Sequence, residues 1–134
     1  RILILGGDGY LGWPQAMYFS QRGHEVAVFD NLARRQFDLK HGFDSLAPIQ
    51  TMQRRIARWR ELTGKTISFY HGDTTDWAAL SRAFQEFQPE GIVHHAEQRR
   101  IEEVGVEARG DADVIAREAG LERVDSDILP TALK

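Results

Sequence analysis

Seven residues near the start of the chain, GGDGYLG (6–12), follow directly on the apolar run ILIL and leave little freedom to what comes after. Glycines at 6, 9 and 12 form the pattern G-x-x-G-x-x-G between a short apolar run and a stretch with helical character. Each glycine has a separate task in such a loop. Gly6 permits a sharp exit from the strand, Gly9 lets backbone approach a phosphate, and Gly12 lets the following helix pack close to the sheet. A helix starting there offers unpaired N–H groups and its positive dipole end to an anion. An ordinary tight turn would explain the glycines alone, but not what lies further on. Asp30 follows Gly12 by 18 residues, at the end of the next apolar run, where a carboxylate can accept both adenosine ribose hydroxyls and repel a 2′-phosphate. The expectation is a dinucleotide site that takes NAD rather than NADP.

The rest of the chain supports a sheet of the required kind. Short apolar runs at 2–5, 25–29, 66–70 and 91–95 read as buried strands. Helices are predicted over 11–22, stopped by Gly23, and over 76–87, with Trp77, Leu80, Phe84 and Phe87 on one face and Thr74 or Thr75 as cap. The long interval 31–65 holds Ile49, Met52, Ile56, Trp59 and Leu62 at three- and four-residue steps, so much of it is predicted helical, with Ile49, Met52, Ile56 and Trp59 forming one buried stripe. Alternation of strands and helices predicts an α/β fold: a Rossmann-like parallel sheet with flanking helices, strand order 3-2-1-4, representing the N-terminal half of the complete architecture. That order lines up Gly6–Gly9, Asp30–Asn31, Gly72–Asp73 and Ala96–Glu97 along one edge.

Asp73 at the end of the third strand can meet the adenine or simply cap a helix. Arg34 and Arg35 can bind phosphate or form a solvated loop. His94 and His95, neighbours on a strand, point to opposite faces and cannot chelate one metal; one is expected in the core and the other near the cofactor. No metal site and no catalytic residue are read from the chain. A net charge of −3 gives no reason to expect nucleic acid, and no apolar run reaches the roughly 20 residues of a membrane span. Without cysteine, disulfides and thiolate chemistry are excluded for these residues. A cytoplasmic enzyme fits, as does a plastid one relieved of its transit peptide, and the absent initiator methionine suggests trimming or a fragment. Composition changes along the chain. Every aromatic residue lies at or before Phe87, and from Arg100 onward acidic residues outnumber basic ones nine to five.

The run RILILGGDGYLGWPQAMYFSQRGHEVAVFDNLARRQFD, together with GFDSLAPI, RIARWRELTGK and HHAEQR, resembles the UDP-sulfoquinovose synthase family of the extended short-chain dehydrogenase/reductases over residues 1–99. The Trp after the third glycine, the run DNLARR and the long interval after the second strand carry that resemblance. It implies an NAD-dependent enzyme of sulfolipid biosynthesis: UDP-glucose is oxidised at C4, loses water across C5 and C6, gains sulfite at C6 and takes the hydride back. The cofactor positions it implies are Gly6, Gly9, Tyr10, Leu11, Gly12, Asp30, Asn31, Arg34, Arg35, Asp73 and Thr74. Ala96 and Glu97 would lie by the nicotinamide half, and Gln98 and Arg99 would face the substrate. A homo-oligomer or a C-terminal half is expected to cover the open faces.

The family's Tyr-x-x-x-Lys pair is absent. Tyr10, Tyr18 and Tyr70 have Pro14, Arg22 and Thr74 four residues on. Since tyrosinate takes the C4 hydroxyl proton and the lysine lowers its pKa, this chain alone is expected not to be catalytically competent. Two other readings stay open: a different NAD-dependent sugar-nucleotide epimerase or dehydratase, and a non-catalytic dinucleotide-binding module. Residues 100–134 form a divergent segment of unknown role. Within it, 110–130 faintly resembles the phosphorylation-domain region of heavy-metal P-type ATPases without its phosphorylated aspartate, a sign of fusion or frameshift; one short helix over 111–119 is the plainer reading.

Overall fold

A computed structural model describes residues 1–43 and 48–96. The predicted strands and helices appear in the predicted order: β1 (Ile2–Leu5), α1 (Gly12–Gln21), β2 (Val26–Asp30), α2 (Ala33–His41), α3 (Met52–Thr63), β3 (Ile67–His71), α4 (Trp77–Phe87) and β4 (Gly91–His94). All four strands are parallel, in the order β3-β2-β1-β4. Leu3 pairs with Ala27 and Ile92, and Leu5 with Phe29 and His94, so the carboxyl ends of β1, β2 and β4 finish level.

Side chains alternate across the sheet, and the two sets bury under different helices. Leu3, Leu5, Ala27 and Phe29 face α4, which contributes Leu80, Ala83 and Phe87. Ile4, Val26, Val28 and Val93 face the other way, onto Trp13 and Ala16 of α1 and Met52 of α3. Strands β1, β2 and β4 are therefore covered on both sides, which is why they read as apolar runs, while in the edge strand β3 Ser68 and His71 are exposed.

Three details depart from the sequence reading. The cap of α4 is Asp76, whose carboxylate accepts from the N–H groups of Ala78 and Ala79, and not Thr74 or Thr75. The buried row of α4 runs Leu80–Ala83–Phe87, turned toward the small Ala83, and leaves Trp77 58% exposed. Among the described residues of the interval after β2 the helices are two and short. Thr51 caps α3 through its hydroxyl, so the helix starts at Met52, and Ile49 lies before it, 50% exposed. Met52, Ile56 and Trp59 do pack against the sheet, while Leu62 is exposed. Ten residues beyond Met52, at 3.6 residues per turn, Leu62 sits about 80° away from the row.

The insertion is fastened to α1. Trp59 Nε1 donates to the buried Ser20 hydroxyl at 3.0 Å, and Lys65 Nζ donates to the carbonyls of Ser20 and Gln21 at 2.9 and 2.8 Å. An ammonium there also complements the negative end of the α1 dipole.

Candidate functional site

The glycine loop leaves β1 through Gly6, whose φ of +81° belongs to the left-handed region, and a Cβ there would lie 2.7 Å from the Ala96 nitrogen. Gly12 is required for a different reason: a Cβ would stand 2.2 Å from the Gly6 carbonyl oxygen. Between them the chain crosses the carboxyl edge of the sheet and enters α1. Helices α3 and α4 are capped by side chains, whereas α1, like α2, has no side-chain cap and no acid in its first turn. The N–H groups of Tyr10, Leu11 and Gly12 donate to no acceptor among the described residues, and Tyr10 and Leu11 are exposed. Three N–H donors without an acceptor among the described residues, at a helix start, suit an anion.

Asp30 closes β2 beside this helix start. Its Oδ2 accepts from the Asp8 N–H at 2.9 Å and its Oδ1 from the Leu32 N–H at 2.7 Å, which fixes the carboxylate against the loop. Asn31 links two strand ends: its side-chain nitrogen donates to Asp73 Oδ2 at 2.7 Å, while its oxygen accepts from the Ala33 N–H. The other oxygen of Asp73 accepts from the Thr75 N–H and hydroxyl. The Thr75 backbone bond, then its hydroxyl and the Asn31 amide, hold the Asp73 carboxyl below the usual carboxylate range. Asp73 thus braces the turn before α4 without capping that helix, and it stays charged at the edge where an adenosine would lie.

Asp8, in the middle of the loop, has both carboxyl oxygens engaged. Arg35 of α2 donates from Nε at 2.6 Å and from Nη2 at 2.5 Å, and Arg55 of α3 donates from Nη1 at 2.9 Å. The Asp8 side chain is 7% exposed. Hydrogen bonding to Asp8 raises the Arg35 pKa further above its ordinary value; burial lowers that of Arg55, with the attraction of Asp8 opposing. The Arg55 guanidinium carbon lies 4.4 Å from the centre of the Trp13 ring, and Arg35 also reaches the Gln50 carbonyl.

Of the residues singled out in the sequence, Gly6, Gly9, Tyr10, Leu11, Gly12, Asp30, Asn31, Asp73 and Ala96 gather at this edge. Arg35 is there but held by Asp8, and Arg34 is exposed. Thr74 follows Asp73 in the same turn. Glu97, Gln98 and Arg99, and the whole segment 100–134, lie outside the described residues. His94 and His95 are both half-buried, so neither joins the core; the His95 ring is 2.7 Å from Gln15 Oε1 on α1, to which Nε2 donates. Sequence reasoning passed over Asp8, Trp13 and Arg55 as site residues. Asp8 had a signal, lying between two motif glycines, but a contact 47 residues apart to Arg55 leaves none.

The sequence model of the NAD dependent epimerase/dehydratase family matches residues 2–121. The chain is 48% identical over 99 residues to the chloroplastic UDP-sulfoquinovose synthase of Spinacia oleracea, covering 74% of this chain and 20% of that protein. It is 44% identical over 99 residues to the UDP-sulfoquinovose synthase of Sulfolobus acidocaldarius, covering 74% of this chain and 25% of that one. The chain therefore spans between a fifth and a quarter of the length of these relatives. Among solved structures it is similar to the Bordetella bronchiseptica enzyme WbmG in complex with NAD and UDP. That likeness has a TM-score of 0.57 and 28% identity, over 90% of this chain and 35% of the other.

Proposed function

Because this chain belongs to the NAD dependent epimerase/dehydratase family, we propose that it is the NAD-holding portion of an enzyme that makes UDP-sulfoquinovose from UDP-glucose and sulfite. The observation that carries the cofactor part is the uncapped start of α1, with three N–H groups that have no acceptor among the described residues beside the fixed carboxylate of Asp30. The donor set suits a pyrophosphate and the acceptor suits ribose hydroxyls, so the residues present fit a dinucleotide. Bound NAD supplies a hydride acceptor for oxidation of a sugar hydroxyl.

The chain's own residues do the holding. Tyr10, Leu11 and Gly12 would donate to the pyrophosphate, Asp30 would accept from the adenosine ribose, and Asp73 with Asn31 and Thr74 would border the adenine. Ala96 and Glu97 would border the nicotinamide half, and Gln98 and Arg99 the sugar nucleotide. Two relatives named as UDP-sulfoquinovose synthases support the choice of UDP-glucose and sulfite over other sugar-nucleotide chemistry. As location we propose the bacterial cytoplasm, or the plastid stroma.

A second reading, a dinucleotide-binding module without catalysis, is favoured by one observation: none of Tyr10, Tyr18 and Tyr70 has a lysine four residues on. Titration calorimetry of the 134-residue chain tests the cofactor assignment. NAD is expected to bind and NADP to bind more weakly; no NAD binding, or tighter NADP binding, would overturn it. Single-turnover mixing with UDP-glucose, watching reduced-nicotinamide absorbance, separates the two readings.

A further inference from the structure

Asp30 is the one residue the motif supplies for telling NAD from NADP, and it acts by repulsion. An NADP-binding site also needs cations for the 2′-phosphate, a group carrying about −1.5 to −2 charges at neutral pH. Two guanidiniums already stand beside Asp30. Arg35 lies five residues after it, and Arg55 reaches the same loop from α3; both feel the Asp30 charge. Neither is available, because both are bound to Asp8, whose own N–H donates to Asp30. Asp8 uses both oxygens in this, and its side chain is almost wholly buried under the two arginines.

Resting on the cofactor reading above, we propose that Asp8 is a second determinant of nucleotide choice, a positioning residue that withdraws Arg35 and Arg55 from a 2′-phosphate. The two carboxylates then act in different ways. Asp30 makes the 2′ position negative, and Asp8 removes the means of offsetting that. Relieving Asp30 alone leaves the cations clamped. Relieving Asp8 alone frees them, but next to a carboxylate whose charge still attracts them. Only together do the changes create a 2′-phosphate site, so their effects on preference multiply to more than the product of the single effects.

The test is titration calorimetry of the full chain with NAD and with NADP, read as the ratio of the two dissociation constants. Asp30→Ser and Asp8→Ser are each expected to move the ratio toward NADP by less than about tenfold. The double variant is expected to move it by more than about a hundredfold, the size of one or two charge-assisted hydrogen bonds gained. Adding Arg35→Gln to the double variant should reverse most of that gain, and adding Arg34→Gln should not. Asp8→Asn, which keeps the shape of the side chain and an acceptor for one arginine, should act in the same direction in the Asp30→Ser background if the serine variant fails to fold. A merely structural Asp8 would weaken both nucleotides equally and leave the ratio unmoved, which would overturn the proposal. So would a double variant no better than the product of the singles, or a gain carried by Arg34. Failure of the unaltered chain to bind NAD is a separate result, and would remove the cofactor reading itself.

Discussion

Replacing Gly12 by alanine adds a single methyl group at the point where α1 meets the loop. That Cβ would lie 2.2 Å from the Gly6 oxygen, 2.9 Å from the Gly6 carbonyl carbon and 2.9 Å from the Gly7 Cα, all closer than the 3.0 Å that real Cβ atoms respect. All three are backbone atoms, so no side chain can rotate away. Gly6 cannot retreat easily, being held by its left-handed φ and by a 2.8 Å hydrogen bond from its N–H to the Phe29 carbonyl. The start of α1 must therefore move by about 1 Å, at the cost of about 1–3 kcal/mol expected of overpacking. The same shift carries the N–H groups of Tyr10, Leu11 and Gly12 off their aim. Loss of one charge-assisted hydrogen bond, about 1.5–3 kcal/mol, is a ten- to hundredfold loss of NAD affinity. Urea unfolding gives the first quantity and titration calorimetry the second. Asp76→Ala is the control: it removes the cap of α4 on the opposite face of the sheet, for about 1 kcal/mol of stability. Its NAD affinity should match that of the unaltered chain. Gly12→Ala binding NAD within about twofold of the unaltered chain, or Asp76→Ala losing as much, would refute the reasoning.

Trp59→Phe removes the donor to the buried Ser20 hydroxyl and should cost about 1–2 kcal/mol in urea unfolding while leaving NAD affinity intact. Asp73 titrates below its unfolded value, so it stabilises the fold above the ordinary aspartate pKa of about 3.9, and that contribution fades as pH falls through the lower folded value. The difference in urea midpoint between the unaltered chain and Asp73→Asn should accordingly shrink on acidification through that window; a difference that grows would contradict the assignment. Amide exchange should be slow in α3 beyond its first turn and fast at Ile49, where the helix has not begun. Incubated with NAD and UDP-glucose, the chain should form no NADH, since Tyr10 stands in the loop, Tyr18 on α1 and Tyr70 in β3 without a lysine partner.

The sheet was legible because buried parallel strands leave runs such as ILIL and VAVFD that few other environments accept. Boundaries slipped by a residue where a strand runs into its loop: β2 takes in Asp30 and β3 takes in His71, since their backbone pairs although their side chains do not enter the core. Periodicity alone misjudged Ile49, and it did not separate the exposed Leu62 from the buried row. It sees apolar spacing but not where Thr51 starts the helix, nor how far the covered stretch extends. Small residues misled in the opposite direction, Ala83 carrying the contact that Trp77 was expected to make. The gathering of the glycine loop and Asp30 at one sheet edge was readable because its parts are a local motif plus one acid at a set distance. The Asp8 cluster was not, because ion pairs between a loop and two helices depend on how the insertion folds back.

One consequence of the way α3 lies along α1 concerns length. Arg55 meets Trp13 and Asp8 at the start of α1, and Lys65 meets Ser20 and Gln21 at its end. The two helices thus run in the same direction, and the ten-residue α1 is spanned by the eleven residues from Arg55 to Lys65. This pairing is a ruler. One residue added to or taken from α3 between those points would shift one grip by about 1.5 Å and swing it by about 100°. The segment from Arg55 to Lys65 is therefore not free to drift in length in the way surface loops ordinarily do: a viable change of length there has to be matched in α1, whose first turn would hold the proposed phosphate.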